Sequence, residues 1–360
     1  METRPASRLD GLDLARGLAV AGMVIVNFKF VMGLEGVEAG WLGRFAGLFD
    51  GRAAATFVTL AGMGVSLLSR RARESGDREG LARARVVLLK RAAYLFIVGF
   101  LDSYLWIGDI LHFYAAYLLV AAALLDAGDR TLLALGGAAA IAFVPLYVFL
   151  DYEKGWDWEL FRYVGQWTPK GLVRHLFFNG FHPVFPWISF LLLGMFLGRR
   201  NLGAGRGRLF LWGLGILAVS ESLSRILMPW AASDGTAEAE WCAQLFGTQS
   251  MPPAPLYLLS GGASALLVIA ACLFIAERFK GSPWLLPFIS AGQLALSLYL
   301  AHVLFGMCAL ELSGLSEGST IGFSLTCSAV FYATALTFAW LWRGRFERGP
   351  LESLMRRVAA

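Results

Sequence analysis

The sequence predicts an all-α fold, a polytopic integral membrane helix bundle of about ten transmembrane helices with both termini in the cytoplasm. Of its 360 residues, 57% are hydrophobic and only 16% are charged, whereas soluble domains carry about 25% charged residues. The apolar residues fall in runs close to the roughly 20 residues that a helix needs to cross a bilayer. This composition predicts the lipid bilayer as a partner and argues against nucleic-acid binding.

Each predicted helix is an apolar run bounded by charged residues or by Gly and Pro clusters. The ten runs cover residues 14–32, 50–68, 86–104, 107–125, 131–150, 184–198, 209–228, 255–276, 284–308 and 319–342. One transmembrane domain over residues 1–360 accommodates them. The first run also fits a cleaved signal sequence, although Asp13, Arg16 and Asn27 would be unusual in a disposable segment.

The distribution of Lys and Arg predicts the orientation. With the amino terminus in the cytoplasm and the loops assigned alternately, 23 of the 31 Lys and Arg lie inside and eight outside. Cytoplasmic loops carry such an excess of positive charge. With four Cys, four His and no C-x-x-C motif, we expect no disulfide framework and no metal site.

Polar side chains inside the spans are the functional candidates, because ionisable groups in a bilayer are costly and usually face a cavity or a partner. In the first span, Asp13 and Arg16 lie on one helix face at the cytoplasmic end. Asn27 lies eleven residues further on, about 16 Å along the helix, and so in the outer half. All three are candidate substrate-binding residues.

Asp50 and Arg52 begin the second span at the outer surface. The backbone dipole favours a carboxylate at a helix amino terminus, so Asp50 is interpreted either as a cap or as a catalytic group. Arg52 is a candidate for binding the substrate.

Asp109 and His112 stand at i and i+3 on the opening turn of the fourth span, in a predicted tight hairpin with the third span. On one helix face, the carboxylate can orient the imidazole for catalysis. The alternative is that Asp109 caps the helix and His112 is an interfacial residue.

His182 and Trp187 belong to the segment NGFHPVFPW that opens the sixth span. Because His182 precedes Pro183, we expect an extended backbone there, and Pro186 suits the first turn of a helix. An imidazole held beside an aromatic wall is a candidate general base, or it bonds a neighbouring carbonyl. Trp187 is a candidate substrate-binding residue.

His302 lies deep in the ninth span, with Ser297 and Gln293 at roughly helical spacing. It is interpreted either as catalytic or as a satisfied core residue. The basic run from Arg70 to Arg91 indicates contact with anionic lipid head groups or with the phosphates of a donor such as coenzyme A. Lys90 and Arg91 are therefore candidate cofactor-binding residues. The long outside segment 151–183 indicates interfacial anchoring by aromatic side chains, or a lid or acceptor-binding surface.

Five ordered blocks of the sequence are RLDGLDLARGLAVAGMVIVNF, FDGRAAATFVTLAGMG, GDILHFYAAYLL, AGQLALSLYLAHVL and RFERGPLESLMRR. They resemble, in order, the first span, second span, outer hairpin, late span and terminal G-P-x-E motif of the YeiB-like bacterial membrane proteins, the family of domain of unknown function 418. The part from about 200 to 360 resembles the family domain itself. HPVFPWISFLLLGMFLGR resembles a block shared with bacterial relatives of heparan-alpha-glucosaminide N-acetyltransferase.

The resemblance implies a multi-pass acyltransferase of the bacterial cytoplasmic (inner) membrane. It would move an acetyl or other acyl group from acyl-CoA, such as acetyl-CoA, to a glycan or lipid-linked acceptor. The residues that match the family pattern are Asp13, Arg16, Asn27, Asp50 and Asp109. The heparan enzymes carry a catalytic His between their first two spans, whereas residues 28–49 here contain none. The base is then His182, His112 or His302, or a carboxylate such as Asp50 or Asp109, or this branch has another activity.

The leading hypothesis is acyl transfer in a cavity in the outer half of the membrane. His182 or Asp109 would take the acceptor's proton, and Asn27 or Arg52 would stabilise the oxyanion. A transporter or flippase lined by the same polar groups is the rival, and a non-catalytic sensor or scaffold is the third interpretation. A homodimer is one open option for the oligomeric state.

Overall fold

A computed structural model describes residues 6–34, 36, 40–315 and 318–359, with only the backbone described for residues 6–9. Apart from one two-stranded hairpin, the regular structure of these residues is helical. In chain order, helices α1 to α16 are Ala6–Val31, Gly40–Gly47, Arg52–Ser75, Arg78–Asp102, Leu111–Ala123, Asp129–Phe149, Pro169–Arg174, Val184–Gly198, Leu202–Ala231, Ala237–Ala243, Pro255–Arg278, Leu286–Gln293, Ala295–Ala301, Cys308–Leu312, Ile321–Arg343 and Pro350–Ala359. The remaining elements are π-helical segments His175–Asn179 and His302–Met307, 3-10 turns Gln244–Phe246 and Pro283–Leu285, and strands β1 (Trp156–Asp157) and β2 (Arg162–Tyr163).

Within the described residues, seven helical segments are long and apolar enough to cross a membrane. They are Asp10–Val31, Gly40–Ser75, Asp129–Phe149, Leu202–Ala231, Pro255–Arg278, Ala295–Leu312 and Ile321–Arg343. Pro169–Asn179 and Val184–Gly198, bent by 51°, make an eighth if the pair is one span. The helical multi-pass class is thus supported, while the count of ten and the side of the termini stay predictions.

The predicted runs 86–104 and 107–125 correspond to α4 and α5, which fall outside that set. Helix α4 carries five basic residues among its first 14, namely Arg78, Arg83, Arg85, Lys90 and Arg91. Helix α5 has 13 residues, fewer than the roughly 20 that span a bilayer. The two helices nevertheless pack together and are joined by residues 103–110, so the predicted hairpin is present.

The chain forms two compact units, each described by itself. Unit 1 comprises Met1–Phe57, Leu202–Leu211 and Ala265–Arg357, and unit 2 comprises Val58–Asn201, Trp212–Ser264 and Val358–Ala360.

In unit 1, α1 packs against α12 and α15. The α1–α12 approach depends on glycine, because a Cβ at Gly292 would lie 1.7 Å from the carbonyl oxygen of Asp13. The Tyr332 hydroxyl of α15 donates to the Gly17 carbonyl at 2.7 Å. A Cβ at Gly17 would lie 2.6 Å from the Phe288 carbonyl oxygen of α12. Small residues allow such close backbone contact between membrane helices, which accounts for the glycine after Arg16.

The predicted ninth span is interrupted in the structure between α12 and α13. The backbone leaves helical geometry at Leu294 (φ −105°, ψ 22°). The backbone amides at the start of α13 are capped by a side chain of α16. Glu352 Oε1 accepts the N–H groups of Leu296 at 2.8 Å and Ser297 at 3.1 Å. A carboxylate at this position is favoured because a helix amino terminus has unpaired N–H groups and a positive dipole end. The terminal G-P-x-E motif therefore stabilises the break.

In unit 2, α4 packs on α5 and α6 on α8. Helices α3 and α8 also meet at glycines, since a Cβ at Gly62 would lie 2.0 Å from the Leu191 carbonyl oxygen and one at Gly194 would lie 1.9 Å from that of Thr59. Before α8, the chain leaves the π-helical segment and becomes extended at Pro183 (φ −64°, ψ 146°). The extended backbone predicted at His182 itself stays a prediction, and Pro186 lies in the first turn of the helix.

Candidate active site

Three of the four histidines pack around one phenylalanine in unit 2. The Phe113 ring centroid lies 4.0 Å from that of His112, 5.2 Å from that of His175 and 5.9 Å from that of His182. His112 and His175 are buried, and His182 is partly buried. We call these three histidines the imidazole cluster. It combines two residues named from the sequence, His112 and His182, with one that sequence reasoning missed.

Asp109 fixes the orientation of His112. One carboxylate oxygen, Oδ2, lies 2.8 Å from His112 Nδ1 and also accepts the His112 backbone N–H at 3.1 Å. Because a carboxylate accepts hydrogen bonds, this contact assigns the proton to Nδ1 and leaves the lone pair of Nε2 as an acceptor. Nε2 is buried and has no hydrogen-bond partner among the described residues. The predicted i, i+3 pairing is present, and it points a basic nitrogen away from its carboxylate.

Gly99 of α4 allows the Asp109–His112 pair to pack closely against that helix. A Cβ at Gly99 would lie 2.3 Å from the His112 backbone nitrogen and 2.6 Å from Asp109 Oδ2. The start of α5 can therefore approach α4 only because position 99 has no side chain. Asp102, at the end of α4, is also buried.

His175 opens the π-helical segment His175–Asn179. Its ring is nearly parallel to that of His112, with centroids 5.5 Å apart and planes inclined by 15°. Neither of its ring nitrogens has a hydrogen-bond partner among the described residues, and the residue is fully buried. From the sequence, residues 151–183 indicate interfacial anchoring, or a lid or acceptor-binding surface, and His175 is not singled out there. The signal in the sequence that could have identified His175 is its spacing of seven residues from His182.

His182 and Trp187 line one side of the cluster. Their ring centroids lie 4.6 Å apart at 81°, and Trp187 is fully buried against Tyr257. The His182 carbonyl accepts the Tyr117 hydroxyl at 2.6 Å, while its Nδ1 is buried with no partner within the described chain. The aromatic wall expected beside His182 is present, and the substrate contact of Trp187 stays a prediction.

The hairpin of β1 and β2 covers His175. The ring centroids of Tyr163 and Trp156 lie 4.8 Å and 6.2 Å from that of His175. Buried Asn179 ties this hairpin to the π-helical segment, since its Oδ1 accepts the Tyr163 hydroxyl at 2.8 Å and its carbonyl accepts Trp156 Nε1 at 2.7 Å. Phe161, between the strands, has a positive φ of 47°, which is uncommon for a bulky residue and common near functional sites.

The fourth histidine, His302, belongs to unit 1 and has both ring nitrogens engaged. Nε2 lies 2.7 Å from the side-chain nitrogen of Asn27, and Nδ1 contacts the Tyr299 carbonyl oxygen. Because a carbonyl only accepts, Nδ1 carries the proton and Nε2 accepts from the Asn27 amide. Two predicted site residues are thus brought together in a satisfied buried contact.

Asp13 and Arg16 form a second polar network in unit 1. Arg16 lies 2.6 Å from Asp13 Oδ1 and 3.4 Å from the Gly292 carbonyl oxygen. Gln293 donates to Asp13 Oδ2 at 3.1 Å. The network joins α1 to α12, so the D-x-x-RG pattern has a packing function in this structure.

The remaining candidates lie at the ends or surfaces of helices. Asp50 precedes α3 and holds the ammonium group of the buried Lys29, with distances of 2.7 Å and 2.5 Å to its two oxygens. Arg52 begins α3. On α4, Lys90 is exposed and Arg91 partly exposed. No group of three or more His, Cys, Asp or Glu side chains among the described residues is arranged to hold a metal ion.

A family model described as heparan-alpha-glucosaminide N-acetyltransferase, catalytic, matches residues 8–224, which is more than half of the chain. The chain belongs to this family. A second model, described as protein of unknown function DUF418, matches residues 208–360. The resemblance seen in the sequence blocks is therefore confirmed. No curated protein matches the chain.

The N-acetyltransferase match contains the whole imidazole cluster and Asp109, together with Asn27, Asp50 and the Asp13–Arg16 pair. His302 lies in the DUF418 match alone. The part of the chain that resembles a catalytic domain is therefore also the part that holds the imidazole nitrogens without a hydrogen-bond partner among the described residues.

Proposed function

We propose that this protein is a membrane-embedded acyltransferase. It transfers an acetyl or other acyl group from acyl-CoA to a hydroxyl or amine of an extracytoplasmic glycan or lipid-linked acceptor. The observation that carries the proposal is the Asp109–His112 pair, whose Nε2 is buried and has no partner within the described chain. Membership of the N-acetyltransferase family supports the reaction class.

In this proposal His112 is the general base and Asp109 its positioning residue. Nε2 takes the proton of the acceptor O–H or N–H while the acceptor atom attacks the thioester carbonyl carbon. The new C–O or C–N bond forms, the C–S bond breaks, and the imidazolium returns the proton to the thiolate. Asp109 keeps Nδ1 protonated and stabilises the imidazolium, as a carboxylate does in hydrolase triads. The role that sequence reasoning gave to His182 or Asp109 thus moves to His112.

Other predicted residues keep supporting roles in the proposal. Trp187 and His182 form a wall beside Phe113, against which an acyl chain or acceptor ring can pack. Lys90 and Arg91 would attract the donor's phosphates from the cytoplasmic side.

Acetyl-CoA turnover tests the proposal. Purified protein in lipid nanodiscs is given acetyl-CoA and glucosamine as a probe acceptor, and both thiol release and acetylated product are measured. Because a positioned acid–base group typically contributes about 10²–10⁴-fold, His112→Gln and Asp109→Asn should each lower kcat at least 100-fold. Asp234→Asn, in an exposed turn, is the matched control and should retain wild-type kcat. Turnover unchanged in both site variants, or absent from the wild-type protein, contradicts the proposal.

A transporter or flippase is the second candidate, because each unit contains an interrupted helix. In unit 2, the helical segments Pro169–Asn179 and Val184–Gly198 meet at a bend of 51°. In unit 1, the helix is broken between α12 and α13. Interrupted membrane helices often form the substrate sites of transporters. Proteoliposomes that move a labelled lipid or sugar without covalent modification would favour this function.

A further inference from the structure

We propose that His175 is a second catalytic residue of the imidazole cluster. Its ring N–H donates a hydrogen bond to the thioester carbonyl oxygen as that oxygen gains negative charge. The inference rests on the proposed acyl transfer and assigns the electrophilic half of the site. The sequence-based candidates for this role were Asn27 and Arg52.

His175 and His302 are both fully buried, but their ring nitrogens differ in hydrogen bonding. Both nitrogens of His302 are hydrogen-bonded, by Asn27 and by the Tyr299 carbonyl. Both nitrogens of His175 lack a partner among the described residues although the residue is equally buried. Buried polar atoms are normally paired, so each exception needs a reason. A ligand that supplies the missing partner is the reason we propose.

The orientation of His175 relative to His112 fits a shared reacting group. Their ring centroids lie 5.5 Å apart and their planes differ by 15°. Two hydrogen bonds of about 3 Å each can therefore meet on a small group placed at the edges of both rings. The tetrahedral centre of acyl transfer is such a group, since one carbon carries both the attacking atom and the oxyanion.

The surroundings of His175 suit a hydrogen-bond donor that stays uncharged. The aromatic rings of Phe113, Tyr163 and Trp156 lie against it. A neutral imidazole keeps one N–H donor, and a donor fixed in a water-poor site stabilises a developing oxyanion strongly.

His175 neither gains nor loses a proton during the reaction. His112 Nε2 removes the acceptor proton as the acceptor atom bonds to the carbonyl carbon. His175 only donates its hydrogen bond to the oxyanion. When the C–S bond breaks, the carbonyl re-forms, the bond from His175 weakens, and His112 returns the proton to the thiolate.

Three substitutions at one position test the donor role, with acetyl-CoA and glucosamine as probes and the full-length protein in nanodiscs. Loss of one oxyanion donor costs about 10²–10³-fold in kcat. We expect His175→Phe to lose that factor with the KM for acetyl-CoA within about threefold, because the aromatic packing is kept. His175→Asn or His175→Gln, which restore an N–H near Nδ1 or Nε2, should recover at least tenfold of the loss. Phe178→Leu, a buried ring change on the same π-helical segment, should leave kcat within threefold.

Two results would overturn the inference while acyl transfer still stands. One is a His175→Phe variant that keeps wild-type kcat while His112→Gln loses it. The other is equal loss in the Phe, Asn and Gln variants together with a lower unfolding temperature, which identifies a packing residue. A wild-type protein that never transfers an acetyl group rejects the proposed function and this inference together.

Discussion

At the scale of single residues, identical side chains differ in what the surrounding chain offers them. His302 and His112 are both buried histidines in apolar helical segments, and each has one nitrogen that carries its proton toward an oxygen. The second nitrogen of His302 is bonded to Asn27, whereas that of His112 has no partner in the described part of the chain. The same residue type therefore has both ring nitrogens bonded in one place and one ring nitrogen without a partner among the described residues in the other, which is why we propose His112 as the reactive one.

Replacement of Asn27 tests the structural assignment of His302. Asn27→Ala leaves the Nε2 acceptor of a fully buried ring without its donor, which costs about 1–3 kcal/mol. We expect a lower midpoint of thermal unfolding in detergent, with acetyl transfer reduced no more than the folded fraction. Asn201→Ala, at an exposed asparagine that makes no side-chain cap, is the control and should leave the midpoint unchanged. A large loss of kcat at full stability in Asn27→Ala would instead favour the oxyanion role predicted from the sequence.

At the scale of helices and strands, glycines determine how closely two helices approach. Gly194→Ala would put a methyl group 1.9 Å from the Thr59 carbonyl oxygen, so α3 and α8 would have to separate. Overpacking of this kind typically costs about 1–3 kcal/mol or more. We expect poor recovery of folded protein in size-exclusion chromatography. Gly64→Ala on α3, where the new methyl meets nothing within 4 Å, is the matched control. Equal recovery of the two variants would contradict the close α3–α8 contact.

The break between α12 and α13 depends on one capping carboxylate. Glu352→Ala removes the acceptor of the Leu296 and Ser297 amides, and hydrogen bonds to a charged group are worth about 1.5–3 kcal/mol. We expect faster hydrogen exchange in residues 295–301 by mass spectrometry. The exposed Glu347 provides the control variant Glu347→Ala, for which exchange in this segment should not change. Unaltered exchange in Glu352→Ala would show that the break needs no cap.

The β-hairpin that covers His175 lies outside the predicted spans and is stabilised by the Asp157 carboxylate in a pH-dependent way. The backbone N–H of Leu160 and the Arg162 guanidinium hydrogen-bond to Asp157 and hold its pKa below the usual value. Since the folded-state pKa is depressed, this support is present above the unfolded value of about 3.9 and is lost as the pH falls through the folded pKa. We expect Asp157→Asn to speed exchange in residues 156–163 at pH 7. The difference from wild type should shrink below about pH 4, and a constant difference would exclude Asp157 as the titrating group.

At the scale of the whole molecule, the positive-inside distribution predicts which segments face outward. Cys242 is exposed and belongs to the segment 229–254 that the ten-span topology places outside. A membrane-impermeant maleimide should therefore label it in intact cells, and Cys242→Ser should remove the signal. A cysteine introduced as Ser75→Cys in that background lies in a predicted cytoplasmic loop and should react only after permeabilisation. The reverse pattern would invert the topology.

The sequence by itself determined the fold class, the family and most of the polar candidates. Composition and run length identify a membrane helix bundle because the bilayer demands long apolar helices. The spacing of Asp109 and His112 predicted their contact because three residues span nearly one helical turn. The G-P-x-E block was visible as a motif, although its partner at Leu296 and Ser297 was not.

Only the tertiary structure decided which candidates meet and which keep a ring nitrogen without a partner among the described residues. The contact of Asn27 with His302 joins residues 275 positions apart, a separation that helical periodicity cannot bridge. His175 escaped notice because its burial comes from the hairpin folded over it and from a π-helical turn, neither of which has a periodic pattern in the sequence. Whether a buried imidazole is satisfied depends on what packs against both of its nitrogens. That is a property of the packed chain, because sequence spacing fixes neighbours on one helix and leaves the partners from other helices undetermined.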